Sequence, residues 1–281
     1  MKRVFLLVFT LSLIALFLVR ERDVAEDSGV QVKGEEFQSY RGRYWAPISF
    51  HGNVSDRALV DTGAVYSSIK AKILKDIEHR ELPPTEISSV VGRYSLEVVK
   101  IKEINFSGKR KEDPVFLVSS TSVIGANLLF DNPPVTLGAE GVEWGDRLDE
   151  GTCVPFKMDY LGSGAESGIS ALYIGLKING NLEYALLDTG GRDYLTGIKD
   201  GANPASRVTL IMNSDGRISF ATYSNESADL TIGSESRSVR YRSYKSGFNS
   251  RAKYVIGAKF LEEFSVHVRS NVGPVCLIKN P

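Results

Sequence analysis

The chain has 281 residues, 42% hydrophobic and 10% aromatic, enough to bury the core of one large domain or two ordinary ones and too apolar for a disordered protein. Lys plus Arg and Asp plus Glu number 34 each, so no net field draws the chain to nucleic acid or to an acidic surface. Short basic runs such as Lys109-Arg110-Lys111 read as solvated turns, and nucleic acid is not an expected partner.

Lys2-Arg3 precede an apolar or weakly polar run from Val4 to Val19, closed by Arg20-Glu21-Arg22-Asp23. Residues 1–22 therefore read as an export signal. The 16 residues of the run rise about 24 Å as a helix, workable for a ~30 Å hydrocarbon core when the flanking Lys and Arg snorkel. No small-x-small cleavage site follows, which favours an uncleaved N-terminal hydrophobic helix over a cleaved signal peptide. The remainder is expected outside the cytoplasm, periplasmic or extracellular, anchored to the membrane if the signal is kept and secreted if it is cut. Residues 23–40 are polar and read as a tether.

Residues 44–50 form an apolar run, His51-Gly52-Asn53 a turn, and Arg57-Ala58-Leu59-Val60 a strand that ends at Asp61-Thr62-Gly63. Ile69, Ile73, Leu74 and Ile77 predict a helix over 67–79. Residues 98–106 and 114–119 read as strands, followed by Val123-Ile124-Gly125-Ala126-Asn127-Leu128-Leu129. Pro133-Pro134 through Gly151 reads as a crossover between two lobes, 41–148 and 149–281. In the second, residues 171–178, a turn at Asn179-Gly180-Asn181 and Tyr184-Ala185-Leu186-Leu187 lead into Asp188-Thr189-Gly190. Further strands are expected over 207–212, 217–223 and 265–269, with Tyr254-Val255-Ile256-Gly257-Ala258 before the last of these.

The order of these features repeats. Each Asp-Thr-Gly closes the second strand of a hairpin, and an apolar-apolar-Gly-Ala segment follows, its Gly 64 residues after Asp61 (125 − 61) and 69 after Asp188 (257 − 188). Two such triplets arise by accident in about one chain of this length in several hundred. A repeat of roughly 130 residues is far longer than a solenoid period and reads as a duplicated, mostly β domain.

On these residues, Val60-Asp61-Thr62-Gly63-Ala64 with Ser67 and Ile69, Leu187-Asp188-Thr189-Gly190, and the segments ending at Gly125 and Gly257, the chain resembles the aspartic proteases of the pepsin and retropepsin superfamily over about residues 44–270. The resemblance implies a bilobal pepsin-like fold, two homologous β lobes with short helices. It implies an endopeptidase in which Asp61 and Asp188 are the catalytic pair, supported by Thr62, Gly63, Thr189 and Gly190, acting on a polypeptide with no cofactor. One chain would supply the entire site, so a monomer suffices. The different-class alternative is a catalytically silent peptide-binding protein on the same fold.

Ala64 and Gly191 stand where pepsin-like relatives commonly carry a hydroxyl that supports the dyad, so a less acid optimum than pepsin's is expected. The family's flap hairpin would fall at residues 88–95, with Gly92 at its tip and Tyr94 either a flap tyrosine or a surface strand residue. Arg192 and Asp193 either line the cleft or face solvent. Cys153 and Cys276 either pair in an oxidising compartment or remain buried thiols. His51, His79 and His267 lack metal-ligand spacing, and no metal is expected.

Overall fold

A computed structural model describes residues 38–40, 42–51, 54–89, 92–131, 133–146, 151–161, 168–199, 207–212, 218–245 and 252–281. The apolar run of 4–19 and all but the end of the expected tether lie outside the described residues. Residues 38–40, at that end, form a strand instead. Among the described residues no helix is long and apolar enough to cross a membrane.

The fold is mostly β, and the described residues form three sheets. The first holds β1 (Gln38–Tyr40), β2 (Arg43–Phe50), β3 (Val54–Val60), β4 (Ser68–Lys70), β5 (His79–Ser89), β6 (Gly92–Ile101), β7 (Glu103–Phe106), β8 (Lys109–Glu112), β9 (Val115–Ser119) and β10 (Val123–Ile124). β2 shows the alternation that a one-sided sheet requires, with Tyr44, Ala46, Ile48 and Phe50 buried and the residues between them more open. Short helices α1 (Ala71–Leu74) and α2 (Ala126–Leu129) punctuate the sheet.

The helix expected over 67–79 shrinks to the four residues of α1. Ser68–Lys70 pair instead with β9 in parallel and β10 antiparallel, which buries Ile69 completely. Sheet hydrogen bonds on both sides of a short segment outweigh its helical periodicity. Within the segment expected as the crossover, Val135–Gly138 (β11) and Gly141–Trp144 (β12) form a hairpin. They belong to a second sheet, which β13 (Thr152–Val154) enters later.

The third sheet takes β14 (Phe156–Leu161), β15 (Gly168–Ile178), β16 (Asn181–Leu187), β17 (Leu195–Lys199), β18 (Arg207–Met212), β19 (Ile218–Ile232), β20 (Glu235–Lys245) and β21 (Tyr254–Ile256). After a 3-10 turn at Ala258–Glu262, β22 (Phe264–Val268) and β23 (Val275–Lys279) return to the second sheet.

The first and third sheets run in the same order. Neighbours in one are β2, β3, β10, β4, β9, β6 and β5; in the other they are β15, β16, β21, β17, β20, β19 and β18, with parallel and antiparallel pairings matched throughout. β6 and β7, interrupted only at Lys102, correspond to the single strand β19, and the pairing of β2 with β7 to that of β15 with β19. The second sheet joins the halves. β11 lies against β22, with Val135 opposite Val268 and Leu137 opposite Val266. β22 is buried along its whole length, as befits a strand covered on both faces. Its polar residues are satisfied: Ser265 donates to Asn280 Oδ1 at 2.7 Å, and His267 Nδ1 lies 2.8 Å from Thr136 Oγ1. Cys153 of β13 sits directly opposite Cys276 of β23, and the two form a disulfide.

Candidate active site

Each Asp-Thr-Gly is delivered by the end of a hairpin. β3 and β16 are held from the side by the apolar pairs Val123-Ile124 and Val255-Ile256, and this parallel pairing continues one residue into each loop. The Asp61 N–H donates to the Ile124 carbonyl at 3.0 Å and the Asp188 N–H to the Ile256 carbonyl at 2.8 Å. The chain then turns back, with Ala64 N–H donating to the Asp61 carbonyl and Gly191 N–H to that of Asp188. A carboxylate at the head of such a turn meets the free amides behind it. Asp61 Oδ1 accepts from Gly63 N–H at 3.0 Å and Ala64 N–H at 3.1 Å, and Asp188 Oδ1 from Gly191 N–H at 3.1 Å.

The two loops lock onto each other through their threonines. Thr62 Oγ1 donates to the Leu187 carbonyl at 2.7 Å and accepts from Thr189 N–H at 3.1 Å; Thr189 Oγ1 donates to the Val60 carbonyl at 2.7 Å and accepts from Thr62 N–H at 3.1 Å. Both threonines are fully buried. The glycines allow the approach. A β-carbon on Gly63 would stand 2.5 Å from Asp188 Cγ, and one on Gly190 would stand 2.5 Å from Asp61 Cγ. Gly125 is constrained alike: its β-carbon would meet the Ala64 carbonyl oxygen at 2.7 Å.

Asp61 and Asp188 thus face each other. Asp61 is 7% exposed, Asp188 is half-buried, and their carboxyls share a hydrogen bond. Burial, the largest cause, raises both above the ordinary carboxylate range. For Asp61 the charge of Asp188 and the shared hydrogen bond add to it, against the Ala64 amide and Arg43, which favour ionisation. For Asp188 the hydrogen bond from Asp61, the Gly191 and Gly190 amides and Arg43 all oppose the effect of burial. The two carboxyls therefore hold one proton between them. The pair titrates as a unit.

The two halves differ around this symmetric centre. Ser67 donates through both its N–H and its hydroxyl to Asn127 Oδ1 at 2.8 Å, and its hydroxyl accepts from Gly125 N–H at 2.9 Å. At the equivalent positions, six residues past the second Asp and two past its Gly, stand Tyr194 and Lys259. There Tyr194 packs on Phe260, ring centroids 5.3 Å apart. Neither the Asn127 brace nor the Arg43 charge beside the two acids was anticipated; the sole signal was that Asn127 falls inside the singled-out segment 123–129.

Gly92 pairs with Ser89 and is the first residue of β6, so it belongs to the strand and not to the hairpin tip. Tyr94 pairs with Ile87 on the same ladder, and its side chain lies outside the described residues. A matching hairpin, β18 with β19, built from the strands expected over 207–212 and 217–223, occupies the same place in the other half. Asp193 pairs with Arg242 at 2.8 Å, while Arg192 is exposed. Among the described residues, no group of three or more His, Cys, Asp or Glu side chains is placed to hold a metal ion. No protein-family model matches the chain, and no curated protein matches it.

Proposed function

We propose that the chain is an aspartic endopeptidase with a pepsin- or retropepsin-like bilobal fold, hydrolysing peptide bonds by a dyad-activated water. The observation that carries this reading is that duplicated loops, locked by Thr62 and Thr189, bring Asp61 and Asp188 face to face, each against the other loop's glycine. The matched strand order of the first and third sheets supports the two-lobed reading.

A water between the carboxyls attacks the scissile carbonyl carbon. The ionised member of the pair takes one proton from that water as its oxygen bonds to carbon, while the protonated member gives its proton to the carbonyl oxygen. The resulting gem-diol collapses: one hydroxyl returns its proton to the carboxyl that gave one as the C=O re-forms, and the amide nitrogen takes the proton on the other as the C–N bond breaks. The dyad ends as it began, without a covalent enzyme intermediate. The backbone amides on each Oδ1 and the paired threonines fix the carboxyls in place before substrate arrives, which is where preorganisation contributes to rate.

The substrate is an extended polypeptide, and the single chain supplies both acids. The apolar run of 4–19 assigns the catalytic part to the outside of the cytoplasm, membrane-anchored, or secreted if the run is cleaved; the Cys153–Cys276 disulfide supports an oxidising compartment. Peptide hydrolysis by the full chain, Asp61→Asn and Asp188→Asn tests the mechanism. Each variant should lose about 10³-fold or more in kcat while keeping its circular dichroism. Turnover equal to the parent in either variant would remove the dyad from the chemistry.

A further inference from the structure

Resting on the endopeptidase reading, we propose that Arg43 makes the site selective for substrates carrying an Asp or Glu side chain within a few residues of the scissile bond. The argument begins with strand register. β2 and β3 pair with Trp45 opposite Leu59. Two residues further along the same register, Arg43 falls opposite Asp61. Tyr44 and Ala46 turn into the core, so Arg43 and Trp45 share the other face. The copy lacks this cation: from Tyr173 opposite Leu186, the same extension sets Ala171 across from Asp188. The positive charge is therefore on one side of a centre that is otherwise symmetric.

The neighbours of Arg43 hold it at the seam between the halves. Tyr44 Oη donates to the Ala258 carbonyl at 3.2 Å, and a β-carbon on Gly42 would stand 3.9 Å from Arg192 Cβ. Gly42 has φ +70°, a conformation in which glycine is favoured, and it brings the start of β2 alongside the second Asp loop. Arg43 thus lies beside the dyad, at the edge where the two halves meet. Arg43 Nε is buried without a hydrogen-bond partner, and so is Trp45 Nε1 on the same face. Buried donors of this kind carry an unmet desolvation penalty that an incoming acceptor removes. A carboxylate meets it with charge-assisted bonds to a guanidinium, where a neutral amide offers only a dipole. The effect of Arg43 on both catalytic carboxyls agrees with this placement.

The test uses the full chain and one cleavable peptide in which each of the three positions on either side of the scissile bond carries Glu, Gln or Lys in turn. At one position at least, kcat/KM should favour Glu over Gln by about 10-fold, with Lys poorer still. Arg43→Gln should abolish the preference, and Arg43→Lys should keep part of it. Equal rates for Glu and Gln at every position, or a preference that persists in Arg43→Gln, overturns this inference while leaving the endopeptidase reading intact. Failure to cleave any peptide overturns both. Should Arg43→Gln not fold, statine-containing peptides bearing Glu or Gln at the same positions give the answer on the wild-type chain: tighter inhibition by the Glu series supports the inference, and equal inhibition overturns it.

Discussion

Burial and the facing Asp188 disfavour the charge of Asp61 by more than the Ala64 amide and Arg43 favour it. Its carboxyl is raised by burial first and by Asp188 second, so the native state keeps a proton that the unfolded chain releases near pH 3.9. A raised native pKa contributes stability that is fully present below the unfolded value and is lost as pH rises through the native one. Asp61→Asn cannot ionise and should melt higher than the parent at pH 8, by about 2–4 °C for each kcal/mol involved, with the difference closing by pH 4. Melting curves at the two pH values check this, and an equal increment at both would contradict it. On the endopeptidase reading, the same residues place the acid limb of the pH–rate profile. Backbone amides take the positions at Ala64 and Gly191 where a hydroxyl would favour ionisation further. Activity should therefore peak nearer neutrality than pepsin's, and a maximum at strongly acid pH would refute it.

At the scale of elements, the important joint is between two loops that are 127 residues apart in sequence. Thr62→Val leaves the Leu187 carbonyl and the Thr189 amide without partners in a fully buried environment. At about 1–3 kcal/mol for each orphaned group, the expected loss is about 2–6 kcal/mol in denaturant unfolding. Thr189→Val should cost the same by symmetry, and the double variant less than the sum, because each change already breaks the partner's bonds. A strictly additive double variant would show that the loops hold together by other means. The strands around this joint were readable as alternating or apolar runs, because one-sided burial writes period two into sequence. The stretch 67–79 misled for the opposite reason. Its apolar spacing suits a helix, but Ile69 is buried in a sheet whose neighbouring strand is distant in sequence, which local periodicity does not encode.

At the scale of the molecule, three sheets share one apolar core, and the chain's last strands close it. The disulfide ties β13, the opening strand of the second half, to β23, across a separation of 123 residues that contains the entire third sheet. Closing so long a loop restricts the unfolded chain. Replacing both cysteines by serine should lower unfolding stability by about 2–5 kcal/mol while leaving dyad chemistry in place. Differential scanning calorimetry beside a peptide assay separates the two effects. Undiminished stability would show that the second sheet is held by its ladder and the β11–β22 seam alone.

Duplication, β character and the two acids were legible without coordinates, because each depends on a short pattern: a triplet, a hairpin turn, an apolar pair before glycine. Those patterns are local, and their recurrence states that one unit was built twice. How the two units meet was decided only in three dimensions. The threonine exchange, the glycine faces that clear each opposing carboxylate, the Asn127 brace and the place of Arg43 all depend on contacts between residues far apart in the chain. Such contacts follow from packing geometry, in which a few tenths of an ångström separate a close fit from a clash, and no single segment carries that information.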